Sequence, residues 1–275
     1  MRKRIGSLML GPGITLALAL AAAPLLLAQN AQQMPTQKAA KTAAAPAARH
    51  DITGAWVGTA GSTISNVGAM TAWGQEQFNA NKPFNGAAKN IVPVGQSNDP
   101  FTKCDPMGFP RSVFFETRGI EFDPLPNKML ELFQYQKIWR EIWMDGRALP
   151  KNAGGSEIDA PDPRWYGYST GHWDNDTTFV TETVGMDERT WLDALGHPHS
   201  VGMKVGERYR RVDHDNLEVT VTIDDPKAYV KPFTTKPWIL TWNPKRELEE
   251  QMCVPSEAQA YLDAIAGPAG KTGKK

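Results

Sequence analysis

The sequence predicts a mainly β protein, an antiparallel meander closed or nearly closed into a barrel with short peripheral helices. A two-sheet β-sandwich is the alternative. Three observations carry this expectation. Trp165 to Pro226 holds two consecutive hairpin patterns, and turn residues punctuate β-forming runs from Ser112 onward. No regular alternation of helix and strand occurs, which argues against parallel α/β architectures. An open meander would expose long strand edges, so closure is favoured.

The elements follow in order. Asp51 to Gly58 (DITGAWVG) reads as a first strand. Met70 to Ala80 places Met70, Trp73 and Phe78 on one helical face, the pattern of a short amphipathic helix. Asn81 to Asn98 is rich in Pro, Gly and Asn and reads as loop, and Cys104 to Arg111 as a turn-rich connector whose prolines cannot join a ladder. Strands are expected over Ser112–Phe122, Met129–Tyr135 and Ile138–Met144, with Asp123–Asn127 as a turn. Whichever face of IWREIWM lies inside, it carries a charge, Arg140 or Glu141. Ala148 to Pro163 has no period and is long enough to be a lid or edge flap.

Tyr166–Trp173, Asp174-Asn-Asp176 and Thr177–Val184 form the first hairpin pattern. Lys204–Val212, Asp213–Asn216 and the strictly alternating Leu217–Ile223 form the second. Ala228–Phe233 and Thr234–Trp242 read as the last strands. Glu247–Met252 and Pro255–Ile265 read as helix.

Around this domain the composition changes. Residues 1–28 have a basic start (Arg2, Lys3, Arg4), an apolar run from Ile14 to Leu27 and small residues near Ala28, the layout of a secretory signal peptide. Residues 29–50 are an Ala/Lys/Pro-rich stretch with too few large apolar side chains to offset ordering, read as a disordered linker. Residues 51–266 make a single β domain with a C-terminal helix, and 267–275 a disordered basic tail. The expected location is periplasmic or secreted, with no transmembrane span once the signal is removed.

Six of the 30 Lys and Arg precede Asp51 and none of the 30 acids does, so the rest of the chain carries 24 basic against 30 acidic residues, a net charge of −6. That disfavours nucleic acid as a partner. Cys104 and Cys253 are the only cysteines, and in an oxidising compartment a disulfide is the default.

Four features could carry chemistry. Gly167-Tyr-Ser169-Thr-Gly171 matches the nucleophile-elbow expression, but a turn and a strand follow where a helix is required, so Ser169 is read as a strand residue. His197-Pro-His199 could present two imidazoles to a metal from extended backbone, with Asp193 or Glu207 as a third ligand. Two histidines alone are weak metal candidates, and the sequence calls for no cofactor. The same four residues, Asp193, His197, His199 and Glu207, are candidates for acid/base catalysis. Glu207-Arg-Tyr-Arg-Arg211 places Glu207, Tyr209 and Arg211 on one strand face and Arg208 with Arg210 on the other. One of these sets could orient a polar group of a ligand. Arg140, Trp165, Tyr168, Trp173, Arg208 and Arg210 are the candidate ligand-binding residues.

The blocks CDPMGFPR, REIWMDGR, DPRWYGYSTGHWDNDTTFVTETVG, ERTWLDALGHPHS, ERYRRVDHDNLEVTVTIDDPKAY and ELEEQMCVPSE, in this order, resemble those of a large family of exported bacterial proteins. The resemblance covers nearly all of residues 51–266 and implies export, but it brings no mechanism. His172 departs from the pattern, where an Arg is usual before the Trp, which puts a role for position 172 in doubt. The Gly-x-Trp start and the meander are also similar to lipocalin-like barrels, a resemblance of fold alone. The function expected is binding of a small, largely apolar molecule in a barrel pocket. A barrel-type enzyme (hydratase, isomerase or hydrolase-like), possibly metal-dependent, is the alternative, and a structural envelope protein comes third.

Overall fold

The computed structural model describes residues 45–58, 64–85, 90–114 and 119–272. The expected signal peptide, and the linker up to residue 44, lie outside the described residues. Ten strands make one sheet: β1 (Gly54–Gly58), β2 (Ile120–Leu125), β3 (Lys128–Phe133), β4 (Ile138–Trp143), β5 (Tyr168–Asn175), β6 (Thr178–Val184), β7 (Lys204–Arg211), β8 (Asn216–Asp224), β9 (Phe233–Thr234) and β10 (Trp238–Trp242). Each strand pairs with the next up to β9, and β10 pairs with both β8 and β1. Nine strands therefore close into a barrel, and the two-residue β9 is an appendage on the end of β8. The barrel reading holds and the sandwich does not.

The period of two decides what lies inside. Val205, Glu207, Tyr209 and Arg211 of β7 are buried, and they pair with Ile223, Val221, Val219 and Leu217 of β8, also buried. A slip of one residue would send all eight to the other face. Phe122, Met129, Glu131, Phe133, Arg140, Ile142, Phe179, Thr181, Thr183 and Leu240 complete the inner surface. With Trp56 and Phe109 wedged among them, side chains fill the interior.

Every neighbouring pair in the ring is antiparallel except β4–β5, which is parallel and only two residue pairs long. A parallel pair needs a crossover, and residues 144–167 supply it, running along the outside of the barrel from the end of β4 to the start of β5. The stretch expected to be a lid is this crossover. Strand directions then make the two barrel ends unlike. Tight turns at 126–127, 176–177 and 212–215 occupy one end. The described parts of the long β1–β2 connection and the connections 185–203 and 225–237 crowd the other, where Met107, Phe109, Leu192 and Met203 plug it.

Several expectations change. Ser112–Phe114 are not strand but part of a buried helical turn, α2 (Arg111–Phe114). It is anchored by Arg111, which donates from Nη1 and Nη2 to the two oxygens of buried Asp99, both at 2.8 Å. Residues 247–252 are extended, because Gln251 bridges to Tyr135 and the Gln136 N–H donates to the Gln251 carbonyl at 2.7 Å. Ala228 and Tyr229 form a buried turn on Asp225, so the last strands shrink to β9 and β10. The helix α1 (Ala72–Ala80) starts at Thr71, whose hydroxyl accepts from the Gly74 N–H. Beyond α3 (Pro255–Tyr261) a π-turn over Leu262–Ala266 leads into α4 (Gly267–Thr272), where a disordered tail was expected. The end of the linker is also structured, since His50 N–H donates to the Asp176 carbonyl and Arg49 pairs with Asp176.

Cys104 and Cys253 form a disulfide, and no described helix is long and apolar enough to cross a membrane. The bridge spans 149 residues and ties the C-terminal segment to the plugged end. Thiol titration of denatured, unreduced protein should detect no free thiol. The double substitution Cys104→Ser, Cys253→Ser should lower unfolding free energy by up to about 5 kcal/mol, read from denaturant midpoints. An unchanged midpoint would show that the bridge does not constrain the unfolded chain.

A filled lumen and a candidate binding cleft on the barrel wall

The inward charges that the strand pattern anticipated meet in the lumen. Arg140 of β4 donates from Nε to Glu131 Oε2 of β3 at 2.8 Å, and from Nη2 to the same oxygen and to Glu207 Oε2 of β7. Its Nη1 reaches Thr183 Oγ1 at 3.0 Å, and Thr183 bonds Ser169 at 2.9 Å. The Phe109 ring lies 3.9 Å from the guanidinium carbon. Thr181 donates to Glu207, and Tyr209 lies within hydrogen-bond reach of both carboxylates.

Two carboxylates face one arginine here, and all three side chains are buried. Burial pushes Glu131 up to about 7, against the pull of Arg140 and with help from Glu207. Proton counting agrees. One phenolic hydrogen cannot serve two carboxylates, whereas a proton on Glu131 Oε1 can donate to Tyr209, which in turn donates to Glu207. Burial and both carboxylates likewise hold the Tyr209 hydroxyl well above its ordinary value.

The four proposed catalytic residues are divided by the fold. Glu207 belongs to this lumen network, whereas Asp193, His197 and His199 sit in the plug between β6 and β7. Asp193 Oδ2 lies 2.8 Å from His197 Nδ1 and accepts from the Ile64 N–H at 2.9 Å, while Oδ1 accepts from the Leu195 N–H at 3.0 Å. Phe78 of α1 stacks on His197 with ring centroids 5.0 Å apart. His199 spends both ring nitrogens, Nδ1 on the Ser200 carbonyl and Nε2 on Thr190, and burial pushes its pKa down. Among the described residues no group of three or more His, Cys, Asp or Glu side chains is placed to hold a metal. Of the two histidines expected to share a metal, His199 has both ring nitrogens in hydrogen bonds, whereas His197 has only Nδ1 engaged, by Asp193. Ser169 is a mid-sheet residue of β5 with no helix after it, as read.

The six ligand-binding candidates divide as well. Arg208 and Arg210 point outward and pair with Asp174 and Glu218, so they leave the candidate site. The inward set of β7 is Glu207, Tyr209 and Arg211, and Arg211 is taken by Asp51. Trp173 is covered by His50 and Phe179. Arg140, Trp165 and Tyr168 do come together, in a cleft of about 840 Å³ on the barrel wall.

That cleft exists because of the parallel pair. Below Ile142↔Ser169 the chains diverge, and residues 164–168 stand away from β4. Outward Trp139, Glu141 and Trp143 form one wall, and Arg164, Trp165 and Tyr168 face them. Leu149, Pro150 and Pro161 of the crossover close the side, and Leu149 and Pro150 also line a second cleft of about 640 Å³ over β6–β8. Arg140 and Ser169 contribute the floor. Trp139, Trp143 and Arg164 were not among the six, though their positions in IWREIWM and DPRWY are aromatic-rich. No family model, curated protein or solved structure matches the chain.

The raised pKa of Glu131 has a measurable consequence. Between pH 4.5 and about 7 the unfolded chain has released the Glu131 proton while the folded chain keeps it, so this group's contribution is full at low pH and is lost as pH rises to about 7. The slope is at most roughly 1.4 kcal/mol per pH unit. Glu131→Gln cannot titrate, so its stability relative to the parent should improve steadily across that interval and level off above it. A stability gap independent of pH, in denaturant melts from pH 4.5 to 8, would show that Glu131 is ionised throughout.

Proposed function

We propose that the chain is an exported binding protein whose small, largely apolar ligand lies in the wall cleft and not in the barrel lumen. Packing supports the relocation, because the lumen is occupied by Trp56, Phe109, Phe122, Phe179, Tyr209 and the Arg140 network. The volume suits a drug-sized molecule. Export is supported by the basic and apolar start of the sequence and is compatible with the disulfide.

The observation that carries the reading is Trp139. It is 61% exposed on a cleft wall, and among the described residues it has neither a ring nor a cation against its face. Trp143, Trp165 and Tyr168 each carry an arginine at 3.5–4.3 Å. An open indole at the mouth of an aromatic cleft offers a stacking surface whose burial would favour a planar apolar group.

Isothermal titration with 2-naphthamide, a neutral planar probe, tests this. The protein should bind it with 1:1 stoichiometry, and Trp139→Ala should weaken binding about five-fold, the size of an aromatic pair. The same substitution should leave the melting temperature within a degree or two, because the side chain is mostly in water. No heat at millimolar probe, or equal affinity in the variant, would overturn the cleft as the binding site.

A further inference from the structure

Three arginines in or beside the cleft stack on aromatic rings, and each follows an aspartate two residues earlier in the chain. Arg147 lies 3.5 Å over Trp143, Arg189 lies 4.3 Å over Trp165, and Arg164 lies 4.1 Å over Tyr168. The preceding acids are Asp145, Asp187 and Asp162. In two of the three the local pair closes. Arg147 donates its backbone N–H and Nε to Asp145 Oδ1 and its Nη2 to Oδ2, at 3.2, 2.9 and 2.6 Å. Arg189 does the same to Asp187 at 3.0, 2.9 and 2.6 Å.

Arg164 breaks the pattern. Its backbone N–H is spent on the Gly185 carbonyl at 3.0 Å, and its carbonyl accepts from Gly167 and Asp187. The turn that would fold it back on Asp162 therefore does not form. Among the described residues its guanidinium has no ion pair and no hydrogen bond, yet it is held in place. Tyr168 supports its face, and the Tyr168 hydroxyl is fixed on the Asp162 carbonyl at 2.8 Å. The other charges in the cleft are matched, since Glu141 pairs with Lys128 and Arg147 with Asp145.

We propose that Arg164 is the anion anchor of the cleft and that the ligand is an aromatic carboxylate. A planar fork with its donors free and its face stacked suits bidentate capture of a carboxylate. The rest of the lining favours a flat apolar body over a sugar acid. Leu149, Pro150 and Pro161 offer no side-chain partner for ring hydroxyls, and of the polar side chains Glu141 is paired with Lys128, Arg147 with Asp145 and Ser169 with Thr183, which leaves Thr170.

This inference rests on the cleft being the binding site, and the experiment separates the two. Isothermal titration compares 2-naphthoate with 2-naphthamide, which share shape and differ in charge. The parent should bind the acid about ten-fold more tightly, and the margin should shrink as salt is raised. Arg164→Gln should erase the margin, so that acid and amide bind alike within the variant. Arg164→Lys, which keeps the charge but loses the fork, should fall between. If the amide binds and the acid binds no better, or if Arg164→Gln keeps the margin, the anchor is overturned and the cleft stands. If neither probe binds, both fall.

Discussion

The contact that joins Arg140 to Glu131 and Glu207 holds the barrel to one arrangement. The three residues come from β4, β3 and β7, so the guanidinium spans the lumen and links walls that are not neighbours in the sheet. Through Thr183, Thr181 and Ser169 the network reaches β6 and β5 as well. Buried ion pairs add little net stability, because desolvation offsets attraction. What this one does is exclude alternatives. A slip of one residue in β3, β4 or β7 would place a charge outside and leave its partner buried and unpaired, at several kcal/mol. The raised pKa of Glu131 fits the same logic, since burial beside Glu207 disfavours a second negative charge that Arg140 alone cannot balance.

A lumen committed to such a network cannot also be a ligand cavity, and this changes where a binding site can form. The remaining opportunity is the place where the ring is weakest. β4 and β5 share two residue pairs, against six in β3–β4 and seven in β5–β6. Around that short seam the crossover has to leave the tight-turn end and climb the outer wall. Its residues Leu149, Pro150 and Pro161 line the cleft beside the outward Trp139 and Trp143. The cleft is thus a consequence of strand order, not an addition to the barrel.

Much of this was legible in the sequence, and for physical reasons. Alternation in β7 and β8 is set by one buried face, so the pattern LEVTVTI could be read directly as strand, with its turn at residues 213–216. The inward position of a charge on β4 followed from IWREIWM, whichever face was chosen. The paired cysteines were readable from their number and the signal-like start. Less legible were segments whose form is imposed from a distance. Residues 247–252 have helical composition but are stretched by the Gln251 bridge and the Cys253 disulfide. Ser112–Phe114 have strand-forming neighbours but are coiled by the Arg111–Asp99 pair.

The candidate site shows the same division at the level of single side chains. His197-Pro-His199 looked like a ligand pair because alternate residues of an extended chain share a face. In the plug, the two rings take different local partners, His197 on Asp193 and His199 on Thr190 and the Ser200 carbonyl. The Asp-x-Arg spacing occurs at residues 145, 162 and 187, and nothing in the spacing tells which arginine stays unpaired. That is decided by one backbone donor: Gly185 accepts the Arg164 N–H because residues 164 and 186 bridge at the end of β6. A tertiary hydrogen bond between main-chain atoms thus sets the availability of a side chain in the cleft. Charge in this molecule is distributed by the sheet as much as by the sequence: gathered around Arg140 in the lumen, and left over on the wall where strand pairing runs out.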